Sequence, residues 1–257
     1  MIFKCHFLVL FVILLDVHCS SAQSLKVISY NIHHGADKNE VNTLEEMGEY
    51  IKVSNADLVG LQEVDSMCNR SGSVDQMKIL AEITGMQYAF QRHFEYDGGS
   101  YGLGILSKHP IISVEHNQIT SIKNGEKRSL ALLSAKISLP DRKELVFATV
   151  HLALDQSTRL IQAGETLEFL DSDLPLILTG DFNAETGTEE IGLFSQQLKM
   201  ADDKLENTFP VINPSKKIDY IWISKDHSKK VTHVKVPLTI QYSDHLPLEA
   251  DLTLKFN

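Results

Sequence analysis

Eight polar side chains stand out because of their types and their neighbours: Asn31, Glu63, His151, Asp181, Asn183, Asp219, Asp244 and His245. Carboxylates and amide oxygens are the hard ligands that Mg²⁺ or Ca²⁺ accepts, and a histidine beside an aspartate supplies a base near neutral pH. The set therefore holds both the ligands of a divalent cation and a carrier of protons. Taken singly, each residue also has an ordinary explanation. Asn31 before His33-His34-Gly35 suits a turn, and Glu63 after Leu58-Val59-Gly60-Leu61 suits a strand meeting solvent. Gly180-Asp181-Phe182-Asn183 suits an Asx turn, and His151 a hydrogen-bonded core histidine. Other chemistries fit less well. Thiolate ligands and a HExxH helix are absent, which disfavours a zinc protease, and the glycine-rich stretch Gly98–Gly104 lacks the Gly-Lys-Ser/Thr ending of a phosphate loop and reads as a loop entering a strand.

These side chains sit at the ends of predicted strands, where a rigid scaffold presents groups to a cleft. Strands are predicted at Lys26–Tyr30, Asp57–Val64, Leu103–Ser107, Leu130–Ile137, Leu145–Leu152, Leu176–Thr179, Ile218–Ile223, Val231–Val236 and Leu248–Leu254. Helical spacing places Leu44, Met47 and Ile51 on one face of residues 43–53, and Val74, Met77, Leu80 and Ala81 on one face of residues 74–83. A third helix over 157–171 aligns Leu160, Gly164, Leu167 and Leu170. Only one helix is expected among the strands between residues 101 and 152, too few for an alternating parallel sheet. Two mixed sheets packed face to face with helices outside, an α/β sandwich, fit instead.

The chain has 257 residues, 43% hydrophobic and 23% charged, which excludes disorder and fibrous architectures. Its formal net charge of −10 gives no general attraction to nucleic acid or anionic membrane, so a polyanionic substrate must be met by a local site. Lys4, the apolar run Phe7–Leu15 and small residues ending at Ser20-Ser21-Ala22 have the layout of a signal peptide. The run is too short for a membrane span of about 20 residues. Cleavage is expected after Ala22, leaving one domain over 23–257, secreted or periplasmic, without a transmembrane span and monomeric. Asp16-Val17-His18 before Cys19 disfavours lipid attachment there, and Cys68 is expected to be a buried or unreactive thiol.

The ordered series Ser29-Tyr30-Asn31-Ile32, Leu61-Gln62-Glu63-Val64, Tyr101-Gly102-Leu103-Gly104-Ile105-Leu106-Ser107, Thr149-Val150-His151-Leu152, Gly180-Asp181-Phe182-Asn183, Ile218-Asp219-Tyr220 and Ser243-Asp244-His245-Leu246-Pro247 resembles the endonuclease/exonuclease/phosphatase family over nearly all of the mature chain. A fixed tetrapeptide such as Gly-Asp-Phe-Asn occurs by chance in roughly one of several hundred chains of this length. Six further matches in order leave coincidence negligible.

The resemblance implies a four-layer sandwich of two mixed β-sheets flanked by helices, and divalent-metal-dependent hydrolysis of phosphate esters, with Mg²⁺ or Mn²⁺ expected ahead of Ca²⁺. By motif, Glu63 is the main metal ligand, Asn31 assists directly or through water, and Asp244 holds metal from the far side. Asp181 and Asn183 border the nucleophile and the non-bridging oxygens. Asp219 and His245 match the family's Asp–His pair, with His245 the general base, and His151 is a second acid or hydrogen-bond donor. Arg128, His33 and Arg70 are weaker candidates for substrate phosphate, and surface roles for the two arginines stay open. His33 stands where many nuclease members carry an acidic residue. The family cleaves DNA, RNA, inositol phosphates and sphingomyelin, so the substrate is left as a phosphate ester, foremost a phosphodiester. Nucleic acid enters only as a substrate, and a non-catalytic phospholigand-binding protein is the alternative of a different class.

Overall fold

The computed structural model describes residues 22–256 apart from positions 124 and 203. The expected signal peptide falls on residues 1–21, outside the described residues, while Ala22 opens the first strand opposite Lys255. Twelve strands are described: β1 (Ala22–Asn31), β2 (Leu58–Ser66), β3 (Gln87–Tyr96), β4 (Gly99–Ser107), β5 (Ile111–Lys123), β6 (Glu126–Ser138), β7 (Glu144–His151), β8 (Leu176–Asp181), β9 (Leu198–Met200), β10 (Asp219–Ser224), β11 (Ser228–Lys235) and β12 (Leu248–Lys255). The helices are α1 (Leu44–Ser54), α2 (Gln76–Thr84), α3 (Gln156–Phe169) and α4 (Glu189–Gln197).

One six-stranded sheet has the order β11-β12-β1-β2-β4-β3 and the other β5-β6-β7-β8-β10-β9. Each contains a parallel pair, β1/β2 and β7/β8, among antiparallel neighbours. Helices α1 and α3 make the crossovers that parallel pairing requires. The sheets stack with β1 and β2 over β7, β8 and β10. Leu58, Leu103, Ile105, Leu133, Phe147, Ile177 and Ile221 fill the space between them. Ile28, Leu61, Met47, Ile51 and Met77 seal the first sheet under α1 and α2. Phe182, Phe194, Tyr220 and Trp222 seal the second under α3 and α4. This is the expected α/β sandwich.

Three local expectations are corrected. Among the described residues no α-helix lies between residues 101 and 152; only a 3₁₀ turn at Pro140–Arg142 does, because β4 hands over to the second sheet, where β5 to β7 follow one another as an antiparallel meander. The buried face of α3 carries Thr158, Arg159, Gln162, Ala163, Thr166 and Leu167, and Gly164 faces solvent. The helix is turned because its polar groups fasten the loop after β7: Gln162 accepts from the Ala153 amide at 2.8 Å, and Arg159 reaches the Leu154 carbonyl and Glu190. Gly99 already belongs to β4, so the glycine-rich stretch is mostly strand rather than loop. Cys68 is buried and free, and burial pushes its thiol up to about 11. Among the described residues, no helix is long and apolar enough to cross a membrane.

Candidate active site

Both parallel pairs deliver their C-terminal ends to one edge of the sandwich. Asn31 ends β1, Glu63 lies near the end of β2, His151 ends β7 and Asp181 ends β8. Antiparallel β10 starts with Asp219 directly opposite Asp181. The loop before β12 brings Asp244 and His245 to the same edge.

The backbone is distorted to aim these groups. Between Leu61↔Gly104 and Val64↔Gly102 the β2 strand carries one extra residue, a bulge in which Glu63 adopts φ 61°. Bulges re-aim a side chain out of the regular alternation, and here the residue turned out is the carboxylate. Asn183 has φ 49°, His33 44° and His34 48°. Non-glycine residues in this region cost about 1–3 kcal/mol each and cluster where surrounding structure holds them for a purpose. Asp181 Oδ1 accepts from the Asn183 amide at 2.9 Å, so the Asx turn is real and is also what places Asn183.

One hydrogen-bonded network joins the two sheets. The Asn31 carboxamide nitrogen donates to Glu63 Oε1 and to Asp181 Oδ2, both at 3.0 Å, while its oxygen accepts from the His33 amide at 3.0 Å. Asn31 thus draws two carboxylates from opposite sheets around one nitrogen. His245 Nδ1 lies 2.9 Å from Asp219 Oδ2, and its Nε2 lies 3.6 Å from Asp181 Oδ2. Thr208 donates to the same Asp219 oxygen at 2.5 Å. Ser243 pins the His245 loop to β1 through the Asn31 carbonyl at 2.7 Å. Burial alone would push the His245 imidazole down. The Asp219 carboxylate, then Asp181, outweighs it and holds the pKa up at about 10.

Asn183 spends both amide hydrogens, one on the Leu152 carbonyl at 3.0 Å and one toward His151 Nε2 at 3.1 Å. In this arrangement the Asn183 nitrogen is spent on the loop after β7 and on His151. His151 Nε2 also lies 3.5 Å from Asp181 Oδ2.

The donor set suits a hard divalent cation. Glu63, Asp181, Asp219 and Asp244 are all oxygen ligands, and one oxygen of Asp219 is buried without any hydrogen-bond partner. Ligand atoms of Asp181, Asp219 and His245 fall within 4.8 Å of one another, as do those of His33, His34 and Glu40. Asp244 is half-buried, its carboxylate accepting from Ser243 at 3.3 Å.

The weaker candidates lie outside this network or at its border. Arg128 pairs with Glu126 at 3.0 Å on the β5–β6 hairpin, its side chain 60% exposed. Arg70 makes a two-pronged pair with Asp65, at 2.8 and 2.9 Å, beside Tyr96 and Tyr101. His33 and His34 share Glu40, at 3.6 and 2.9 Å.

Sequence reasoning assigned no role to Tyr101, His93 or Thr208. Tyr101 borders Glu63 and Asp181; burial, then the Glu63 charge, raises its phenol so that it stays protonated. His93 lies behind His151, its Nδ1 accepting from the Ala131 amide at 2.7 Å, and burial drives its pKa down to about 3. It is therefore neutral, with the proton on Nε2.

Residues 28–245 match the endonuclease/exonuclease/phosphatase family, and the chain belongs to it. Members of this family are generally phosphoester hydrolases, and that class fits the carboxylate-rich site between two sheets. The chain is 27% identical over 254 residues to protein YbhP of Escherichia coli (strain K12), covering 90% of this chain and 97% of that one. Among solved structures it is similar to the human nocturnin catalytic domain with bound sulfate anion, at TM-score 0.70 and 20% identity over 92% of this chain and 97% of that one. It also resembles a mannosyl-6-phosphatase of Bacteroides thetaiotaomicron, at TM-score 0.67 and 21% identity over 89% and 99%.

Proposed function

We propose that the protein is an exported, divalent-metal-dependent phosphoesterase that hydrolyses phosphodiesters. The observation that supports this reading is the contiguous set Glu63–Asn31–Asp181–His245–Asp219, whose carboxylates, amide and imidazole meet between the sheets.

Mg²⁺ or Mn²⁺, held by Glu63 with help from Asp181, Asp219 or Asp244, would neutralise phosphate oxygens and the leaving oxygen and weaken the pull of Asp181 on the His245 proton. Asp219 fixes the Nδ1 proton of His245, leaving Nε2 as the nitrogen that exchanges a proton with water at the reacting phosphorus. Asp181, bonded to Asn31 and close to both histidines, orients that water. His151 faces the phosphate from the other side, and its bond to Asn183 couples its orientation to the Asp181–Asn183 turn. The completeness of this set argues against a non-catalytic ligand-binding protein.

A net charge of −10 and the pairing of Arg70 and Arg128 with carboxylates favour a compact phosphodiester over duplex DNA. The deciding experiment is Mg²⁺-dependent turnover across plasmid DNA, RNA, phosphoinositides, sphingomyelin and a simple diester. Turnover of none of them would refute the reading, and preference for DNA or RNA would make the protein a nuclease. Export is tested by the N-terminal residue of the mature protein, expected to be Gln23.

A further inference from the structure

The cleft does not end at the metal-type ligands. On the first sheet its wall continues upward along the β3–β4 hairpin, and that stretch is aromatic. Tyr101 stands opposite Asp65 in the β2–β4 register and opposite Phe94 in the β3–β4 register, so all three share the face that looks into the cleft. A second bulge, between Arg92↔Gly102 and Phe94↔Tyr101, brings His93 onto this face beside Phe94. Tyr96 follows two residues on. The rings neighbour one another in series, with centre-to-centre distances of 6.4 Å from His151 to His93, 5.6 Å from His93 to Tyr101, 5.4 Å from Tyr101 to Phe94 and 6.4 Å from Tyr101 to Tyr96. The Arg70 guanidinium lies 4.6 Å from the Tyr96 ring centre, closing the far side.

Phe94 and Tyr96 are each 44% exposed. Clustered apolar rings left open to water beside a reacting centre mark a recognition surface. The wall runs from His151 through His93 to Tyr101, which pairs with Asp65 two residues beyond Glu63, so a group esterified to the phosphate on this side would lie along it. Three features define that group. It carries no charge of its own, because the one cation on the wall, Arg70, is spent on Asp65. It is not flat: Phe94 and Tyr101 are inclined by 33°, Tyr96 and Tyr101 by 60°, and Phe94 and Tyr96 by 79°, a cup rather than the single plane on which a nucleobase stacks. It presents C–H surface to the rings and hydroxyls to the polar rim of the Arg70 guanidinium and the tyrosine hydroxyls.

We propose that Phe94, Tyr96 and Tyr101 form a subsite for an uncharged sugar ring esterified to the scissile phosphate. The inference rests on the phosphodiesterase reading and adds the organic group to it.

The test uses methyl phosphodiesters of a hexose, of glycerol and of thymidine with Mg²⁺, together with calorimetric binding of the methyl ester of a hexose phosphonate, whose phosphorus–carbon bond to the sugar cannot be hydrolysed. The hexose diester is expected to exceed the glycerol diester in kcat/KM, and Phe94→Ala/Tyr96→Ala to lower that ratio about ten-fold, mainly through KM. Phosphonate binding should weaken in parallel, and single Phe94→Leu and Tyr96→Leu variants, which keep apolar bulk, should lie between. Equal ratios in wild type and variant, or a loss confined to the thymidine diester, would overturn the sugar assignment. Turnover without ring preference would sink the subsite and leave the phosphodiesterase reading standing. Phosphonate binding that depends on Phe94 and Tyr96 without any turnover would do the reverse.

Discussion

Asp181 and Asp219 face each other across the β8–β10 ladder, and His245 closes on both, 2.9 Å from one carboxylate and 3.6 Å from the other. Two buried carboxylates on neighbouring strands repel unless a positive group sits between them. In the metal-free protein the imidazolium is that group, so the proton carrier and the anionic centre stabilise one another.

That relationship gives a pH signature. The His245 pKa is raised from 6.5 in the free side chain to about 10. The stabilisation from its protonated form is therefore fully present below about pH 6.5 and lost as pH rises toward 10. In excess chelator, the melting temperature of wild type should fall by roughly a few degrees more than that of His245→Gln between pH 6.5 and 9.5. Parallel melting curves for the two proteins would refute the assignment.

Catalysis should separate rate from affinity. His245→Ala is expected to lower kcat by about 10²-fold or more with little change in KM, because proton transfer acts mainly in the transition state. Asp219→Asn should show the same pattern more mildly. A change in KM alone would mean that the pair serves binding.

Metal dependence is read at Glu63. Glu63→Gln keeps the bulge and the bond from Asn31 but removes the charge, so activity should be lost and Mn²⁺ affinity fall, while the melting temperature stays within roughly a degree or two. Full turnover by the variant at limiting metal is the contrary result.

Salt dependence separates a compact substrate from a nucleic-acid track. Hydrolysis of a compact diester at fixed Mg²⁺ should fall only modestly between low and physiological ionic strength, since few phosphates are neutralised by side chains. A steep salt slope together with preference for duplex DNA would reveal an extended groove.

The sheets meet tightly beneath the site. A Cβ on Gly60 of β2 would collide with the Thr179 hydroxyl of β8 and crowd that of Thr149 on β7. Gly60→Ala should cost about 1–3 kcal/mol and lower activity by parting Glu63 from Asp181. Denaturant unfolding and kcat/KM measured together would check both effects, and an unchanged kcat/KM would show that the cleft tolerates a wider spacing.

Much of this was legible in the chain itself. The apolar runs of β1, β2, β7, β8 and β12 announced strands, and the polar residues at their ends announced a cleft. Strand β3 was missed although Tyr88, Phe90, Phe94 and Tyr96 keep a spacing of two, because Gln91-Arg92-His93 interrupts the apolar positions and the bulge there puts Phe94 on the opposite face from Phe90. Edge strand β5 reads as polar, and Gly192 interrupts the apolar spacing of α4. The eight leading candidates gather at one edge because two parallel pairs end there. Arg70 and Arg128 could not be judged from sequence, since their pairing with Asp65 on β2 and Glu126 on β6 is fixed only in the folded chain. The left-handed backbone of Glu63 and the two bonds of Asn31 arise from tertiary packing and leave no local trace.

Strand β1 lies between β2 and β12, so the strand bearing Asn31 is held on one side by the last strand of the chain, with Ser29 opposite Leu248. This gives the protein a built-in order of events in time. During synthesis, β2, β7 and β8 all emerge before β1 gains its second neighbour, and His245 arrives just ahead of that strand. A growing chain that stops short of residue 248 holds nearly every chemical group of the site but lacks the strand that flanks β1 on its second side. On the proposed reading, phosphoester cleavage is then expected only of a chain in which β1 and β12 have paired.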